Sequence, residues 1–169
     1  MPVLMRRREV QTGVISYFQL QWARNGEIFN LPKIVVPYRT ETNSFAYNDI
    51  EWYCRSDVYV ITEKDEQYNL KYLLALLNSK IYFLWLYHRG KRKGEILELF
   101  QIPLCEIPIP KATENEQLDF ANLADKITSI KQTGPEADTS ALEAEIDRLI
   151  YELYGLTDDE IKIVEEAAK

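Results

Sequence analysis

Residues 70–110 read LKYLLALLNSKIYFLWLYHRGKRKGEILELFQIPLCEIPIP, and the fold turns on how this stretch is parsed. Leu73, Leu76, Leu77, Ile81, Leu84 and Trp85 recur at helical spacing, and Leu74, Tyr82, Phe83 and Leu86 fill most of the remaining circumference. The pattern predicts one helix over 70–87, apolar on nearly all sides and therefore covered by more than one neighbour. Burying each large side chain contributes roughly 1.5–3 kcal/mol, so this helix is expected to organise the domain. Asn69 or Asp65 is placed to cap its start. Gly90 is placed to stop it, with Arg89 and Lys91 where a helix dipole favours positive charge. The helix empties into a basic cluster, HRGKRKG at 88–94. Beyond it, Pro103, Pro108 and Pro110 argue against a helix or a central strand, so 102–110 is expected to be an extended strap.

Upstream, residues 14–18 are compatible with a strand or with one amphipathic turn that includes Leu20 and Trp22. Ile34, Val35 and Val36 form a β-branched run ended by Pro37, as for a strand at a sheet edge. Phe45, Ala46 and Tyr47 read as another short strand, and 51–61 as β structure bent near Ser56 and Asp57. Downstream, Leu118, Ala121, Ala124, Ile127 and Ile130 mark a helix within 114–131. Residues 132–139 form a loop, and Ser140 with Glu143 is a capping-box pattern. Leu142, Ile146, Leu149, Ile150 and Leu153 make a second stripe ended by Gly155. Thr157 and Glu160 open a last short helix. The expected class is α+β: a small mixed or antiparallel sheet packed on a long buried helix, with a C-terminal helical hairpin. The expected division is a body of 1–111 and an acidic helical region of 112–169.

Charge follows the same division. The net charge of -7 hides 15 Lys and Arg against 12 Asp and Glu in residues 1–111, and 5 against 15 in 112–169. A mildly basic body therefore carries a strongly acidic tail, and the average says little about partners. Two cysteines, Cys54 and Cys105, lack a paired-ligand spacing and indicate neither a disulfide framework nor a zinc site. Arg6, Arg7 and Arg8 are not followed by a signal-type apolar run. Asn78 and Lys80 interrupt the segment 72–87, which is short for a bilayer crossing. The expected setting is the cytoplasm, away from membranes.

A catalytic reading finds little to stand on. His88 is the only histidine and has no nearby Ser or Cys partner in sequence. No glycine-rich nucleotide fingerprint occurs, and the carboxylate pairs of the tail have helix-surface spacing. The basic cluster offers more. Gly90 and Gly94 bracket Lys91, Arg92 and Lys93, so the turn is expected to bring backbone N–H groups as well as side chains to a phosphate. Arg39, Arg55 and Arg24 lie on or beside predicted strands and loops, where a guanidinium suits a phosphate or a guanine edge. Thr40, Thr42, Asn43, Ser44 and Asn48 supply polar loop side chains able to meet base edges.

These segments also resemble a known family. LQWARNGEIFNLPKIVVPYRTETNSFAYN from Leu20, SDVYVI from Ser56, LKYLLALLNSKIYFLWLYHRGKRKG from Leu70 and ELFQIPLCEIPIP are similar to the C-terminal target-recognition region of large single-chain type II restriction-modification enzymes. Their adenine-N6 DNA methyltransferase relatives share it, and ALEAEIDRLIYELYGLTDDEI is similar to the end of those enzymes. IPIPKATENEQ also resembles the close of a recognition domain in type I specificity subunits. The resemblance covers about Arg6 to Glu165. It implies a module that selects a short sequence in double-stranded DNA opposite a methyltransferase domain, in the same chain or a partner chain. That domain would bind S-adenosylmethionine and flip the target adenine. Family pattern agrees here at Lys33, Arg39, Ser56, Asp57, Lys91, Arg92 and Lys93. The glycine-rich cofactor motif and the Asn-Pro-Pro-aromatic motif of the methyltransferases do not occur in these residues. No cofactor and no catalysis are therefore expected of this chain, which reads as the recognition piece of a longer protein. The expected DNA-contacting residues are Lys33, Arg39, Thr40, Asn43, Arg55, Arg89, Lys91, Arg92 and Lys93. The competing expectation is a protein-interaction or oligomerisation module using the apolar stripes of 118–130 and 142–153.

Overall fold

The computed structural model describes residues 2–20, 23–55, 57–63 and 67–168. Trp22, Ser56 and Asp65, which entered the sequence expectations, lie outside them. Two short helices, α1 (Pro2–Met5) and α2 (Arg8–Gln11), begin the chain, and residues 12–20 form turns and bends rather than a strand. A 3-10 turn at Gly26–Phe29 follows, started by the Asn25 side chain, which accepts from the Glu27 N–H.

The first sheet has three antiparallel strands. β1 (Lys33–Pro37) lies between β3 (Ala46–Asn48) and β4 (Val58–Thr62). The expected edge strand is thus central. Pro37 is tolerated because β3 covers only Lys33, Ile34 and Val35, so its missing N–H costs no bond on that side. Ile34 and Val36 are fully buried and join the core formed with the helices. The second sheet has the order β2-β6-β5, from β2 (Arg39–Thr40), β5 (Lys91–Lys93) and β6 (Ile96–Glu98).

The predicted long helix is two helices, α3 (Leu70–Leu77) and α4 (Lys80–Arg89). Polar side chains from three parts of the chain make the break. Asn78 accepts from the Phe45 N–H at 2.8 Å and donates to its carbonyl at 3.0 Å. Asn43 donates to the carbonyls of Leu77 and Ser79 at 2.7 and 2.9 Å. Ser79 Oγ donates back to Leu76, and Asp147 accepts the Lys80 N–H at 3.0 Å. The Leu77 carbonyl and the Lys80 N–H, which the break leaves without helical partners, are thus satisfied by side chains. Burial differs across it: six of the eight α3 residues are buried, but in α4 only Tyr82 and Leu86. The Asn69 side chain caps α3.

The expected strap at 102–110 begins instead with a short helix, α5 (Gln101–Cys105). Pro103 is accommodated because the first N–H groups of a helix have no intrahelical partner. After a turn at Glu106, residues 107–110 form neither helix nor strand, and the carbonyls of Pro108 and Pro110 accept from the hydroxyls of Tyr82 and Tyr72. Burial raises the pKa of both phenols, and the Tyr82 hydroxyl also meets that of Tyr154 at 2.9 Å.

The tail contains α6 (Glu114–Thr133), α7 (Ser140–Tyr154) and α8 (Asp158–Ala167). Capping boxes open α6 at Thr113–Glu116 and α8 at Thr157–Glu160. The box expected at Ser140 is absent, because Thr139 is the N-cap and Asp138 accepts the Ser140 N–H. Gly155 ends α7 in the left-handed region at φ 64°. α6 and α7 pair, and α6 packs on α3. Phe120, Ala124, Ile146 and Ile150 share one hydrophobic cluster with Ile34, Leu76 and Leu97. Most of the two tail stripes thus face the chain's own core rather than a partner. Lys80 links α4 to the tail, lying 2.5 Å from Glu165 and 3.6 Å from Asp147. The result is a mixed α/β fold with two small antiparallel sheets and a helical pair near its end.

Candidate nucleic-acid interface

The basic cluster is a strand rather than a glycine-bracketed turn. Gly90 caps α4 at φ -78°, and a Cβ there would lie 2.4 Å from the Leu86 carbonyl oxygen. Its glycine is needed for close approach, not for a phosphate. Gly94, at φ +65°, turns β5 into β6.

In this small sheet Lys91 and Arg39 flank Glu98 from opposite sides, in the cross-strand register Arg39, Glu98, Lys91. Glu98 is 5% exposed. Its Oε1 accepts from Arg39 Nε at 2.9 Å and Nη2 at 2.6 Å, and Lys91 Nζ lies 3.4 Å from Oε2. The two cations remain 49% and 65% exposed above it. Arg39's hydrogen bonds hold the Glu98 carboxyl below its ordinary range, and Glu98 in turn raises the guanidinium.

Aromatic rings complete the mount. The Arg39 guanidinium lies 4.9 Å from the Tyr38 ring centre, and Lys91 4.8 Å from that of Phe100. Tyr38 and Phe100 meet edge to face at 5.2 Å. Alternation along β5 sends Arg92 the other way, where it sits 3.7 Å over Tyr87 of α4. Such contacts orient a cation without neutralising it.

The expected residues separate into two groups. Arg39, Thr40, Lys91, Arg92 and Lys93 come together on one sheet, and exposed Arg89 ends the helix that leads into it. Three others stand apart. Asn43 is committed to the carbonyls at the helix break, and exposed Arg55 lies on the crossover 49–57. Lys33 is a correction: it is fully buried, and its ammonium donates to the carbonyls of Phe29, Leu31 and Ile50 at 3.0, 2.9 and 2.9 Å. It has no surface to offer a phosphate. Arg24 behaves similarly, donating to the Val58 carbonyl at 2.7 Å. Both tie neighbouring segments to strands of the first sheet. Glu98, Tyr38, Phe100 and Tyr87 were missed. A carboxylate inside the apolar run ILELF is the one signal of them in the sequence.

Residues 42–47 also line a groove of about 820 Å³ with α3, α6 and α7. Its charged lining is mixed, with Lys80 and Lys131 against Glu143 and Asp147. Among the described residues no group of three or more His, Cys, Asp and Glu converges to hold a metal ion, and no helix is long and apolar enough to cross a membrane.

The fold thus gathers exposed cations on one small sheet, in a sequence without the methyltransferase motifs. The family model for the TaqI-like C-terminal specificity domain matches residues 9–109, well over half of the chain, and the chain belongs to that family. It is 29% identical over 132 residues to the type II methyltransferase M.HincII of Haemophilus influenzae, covering 70% of this chain and 26% of the relative. M.HindII of the same species matches with the same identity and coverage. The type II methyltransferase M.BstVI of Geobacillus stearothermophilus is 26% identical over 156 residues, covering 87% of this chain and 25% of the relative. The chain thus spans about a quarter of the length of these relatives.

Proposed function

We propose that the chain recognises a short sequence in double-stranded DNA as the specificity portion of a type II restriction-modification methyltransferase. The observation that carries this reading is the sheet bearing exposed Arg39, Lys91, Arg92 and Lys93, the first three of them set against aromatic rings, in a chain of the specificity-domain family. Lys91, Lys93 and Arg89 contact phosphates, Arg39 and Thr40 lie nearest the bases, and Arg55 and Asn43 belong to flanking loops. The methyltransferase domain, in the same or a partner chain, holds S-adenosylmethionine and performs the chemistry in the cytoplasm. Residues 1–111 supply the DNA face. The acidic region 112–169 braces it from behind and keeps phosphate away from that side. Duplex binding by the full chain, followed by fluorescence anisotropy at two salt concentrations, tests the reading. Affinity should fall steeply with salt, as counterion release requires. Salt-insensitive binding, or none at low salt, would reject it.

A further inference from the structure

Glu98 is an odd residue for a DNA-facing sheet. It sits on the central strand, 5% exposed, directly beneath the two cations proposed to meet DNA. As a stability device it is modest: its hydrogen bonds to Arg39 outweigh the hydration that its carboxylate loses, but the cations it meets are half exposed or more. As an attractor of phosphate it is counterproductive, since it cancels part of the local positive charge. Its geometry gives it another use. Both Nε and Nη2 of Arg39 converge on one oxygen, which fixes the plane of the guanidinium and leaves its Nη1 edge out of the pair. Tyr38 supports the same group from its ring face. Lys91 is drawn to the second oxygen and to Phe100. Arg39 is thus held in one orientation by two hydrogen bonds, and Lys91 is biased toward Glu98 and Phe100.

We infer that Glu98 is a positioning residue for sequence discrimination: it aims the Arg39 guanidinium at a base edge and restrains Lys91, giving up non-specific attraction to phosphate. This rests on the DNA-recognition reading above. The ligand chemistry is a planar pair of acceptors, such as the O6 and N7 of guanine, which a preoriented guanidinium matches and a swinging one does not.

The experiment uses the full chain and a pool of randomised duplexes. Rounds of binding and amplification yield the preferred sequence, and affinities are then measured for that duplex and for a scrambled one. Glu98→Gln keeps the shape but removes the charge. It should leave scrambled-duplex affinity unchanged or higher and reduce the ratio between the two duplexes about tenfold, the worth of one bidentate base contact. Arg39→Lys keeps the charge and loses the fork. It should preserve the salt dependence of scrambled-duplex binding and lower the ratio to a similar extent. Thermal melts of both variants show whether the fold is intact at the assay temperature, and Arg39→Lys, altered at an exposed side chain, stands in if Glu98→Gln melts too low. Equal loss of affinity for both duplexes would mean that Glu98 merely holds the sheet together, and an unchanged ratio would mean that Arg39 reads no base. Either overturns the inference and leaves DNA binding standing. Failure of the wild-type chain to enrich any sequence would overturn the recognition reading itself.

Discussion

Lys33 and Lys91 each sit on a strand of a three-stranded sheet, and each was expected to grip DNA. Lys33 is central in the first sheet, wholly buried, with its ammonium closed off by three carbonyl oxygens. Lys91 is on an edge strand of the second, largely exposed, leaning on Glu98 and Phe100. The same side chain is a staple in one sheet and a presented charge in the other. What differs is the supply of acceptors. Around Lys33, two loops bring three backbone carbonyls onto one donor, the Phe29 carbonyl also accepting from the Trp52 N–H. Around Lys91, β6 pairs the edge strand on one side, and the ammonium meets side chains, Glu98 and Phe100, rather than carbonyls. A cation near a strand is therefore informative about DNA only once the backbone's own demands are met.

The sharpest way to break this contrast is to remove each lysine's charge. Lys33→Met keeps the stem and strips the Leu31 and Ile50 carbonyls of this donor, while the Phe29 carbonyl keeps the Trp52 N–H. At about 1–3 kcal/mol for each orphaned group, the loss should reach about 2 kcal/mol or more. That corresponds to a fall in Tm of about 4–8 °C for a domain of this size. Duplex affinity well below the lowered Tm should be preserved. A variant that melts like the wild type yet binds DNA poorly would restore Lys33 to the interface.

The opposite outcome is expected on the second sheet. Replacing Lys91, Arg92 and Lys93 together with alanine should lower affinity for every duplex by about 10–100-fold at low salt. The slope of log affinity against log salt should shrink by about 2–3, one unit for each phosphate that the sheet no longer neutralises. Thermal stability should change by no more than about 1 kcal/mol, since buried Glu98 keeps its two hydrogen bonds to Arg39 and the cations removed are themselves exposed. Loss of discrimination with full non-specific affinity would show that these residues read bases instead.

The contrast also shows how far the sequence could be read. Helices α6, α7 and α8 were legible because their stripes, the Gly155 stop and the Thr157–Glu160 box are local signals. The strands of the first sheet were legible from β-branched runs, although their order was not. The break at Asn78 and Ser79 was hidden because its causes lie elsewhere in the chain: Asn43 and Phe45 in a loop, and Asp147 on α7. The burial of Lys33 depends on Ile50, and the pairing of Glu98 on Arg39, 59 residues earlier. A pattern of charge and hydropathy records none of these meetings. The helix break admits its own test. Asn78→Ala removes both hydrogen bonds to Phe45 and should cost about 1–2 kcal/mol. It should also speed hydrogen exchange at the Phe45 N–H, which loses its acceptor. Unchanged exchange there would show that packing alone holds the loop.

The smallest effect compares two buried carboxylates that each meet a cation. Glu98 is held below its ordinary pKa, first by its hydrogen bonds to Arg39. Asp147 is pushed above its ordinary value, first by burial, which Lys80 offsets only in part. The signs of their contributions to folding are therefore opposite. Glu98 favours the folded state above its unfolded pKa, and that contribution is lost as pH falls through the lower folded value. Asp147 disfavours folding when ionised, and the penalty is relieved as pH falls through its raised folded value toward the unfolded one near 3.8. Urea titrations from pH 7 to pH 3 resolve the two. The stability difference between wild type and Glu98→Gln should shrink on acidification, because the wild type loses an advantage the variant never had. The difference between wild type and Asp147→Asn should move in the wild type's favour over the same window, since asparagine keeps an acceptor for the Lys80 N–H but cannot gain a proton. Parallel slopes for the two variants would mean that burial, rather than the cation, governs both sites, and the contrast between a presented pair and an internal one would fail.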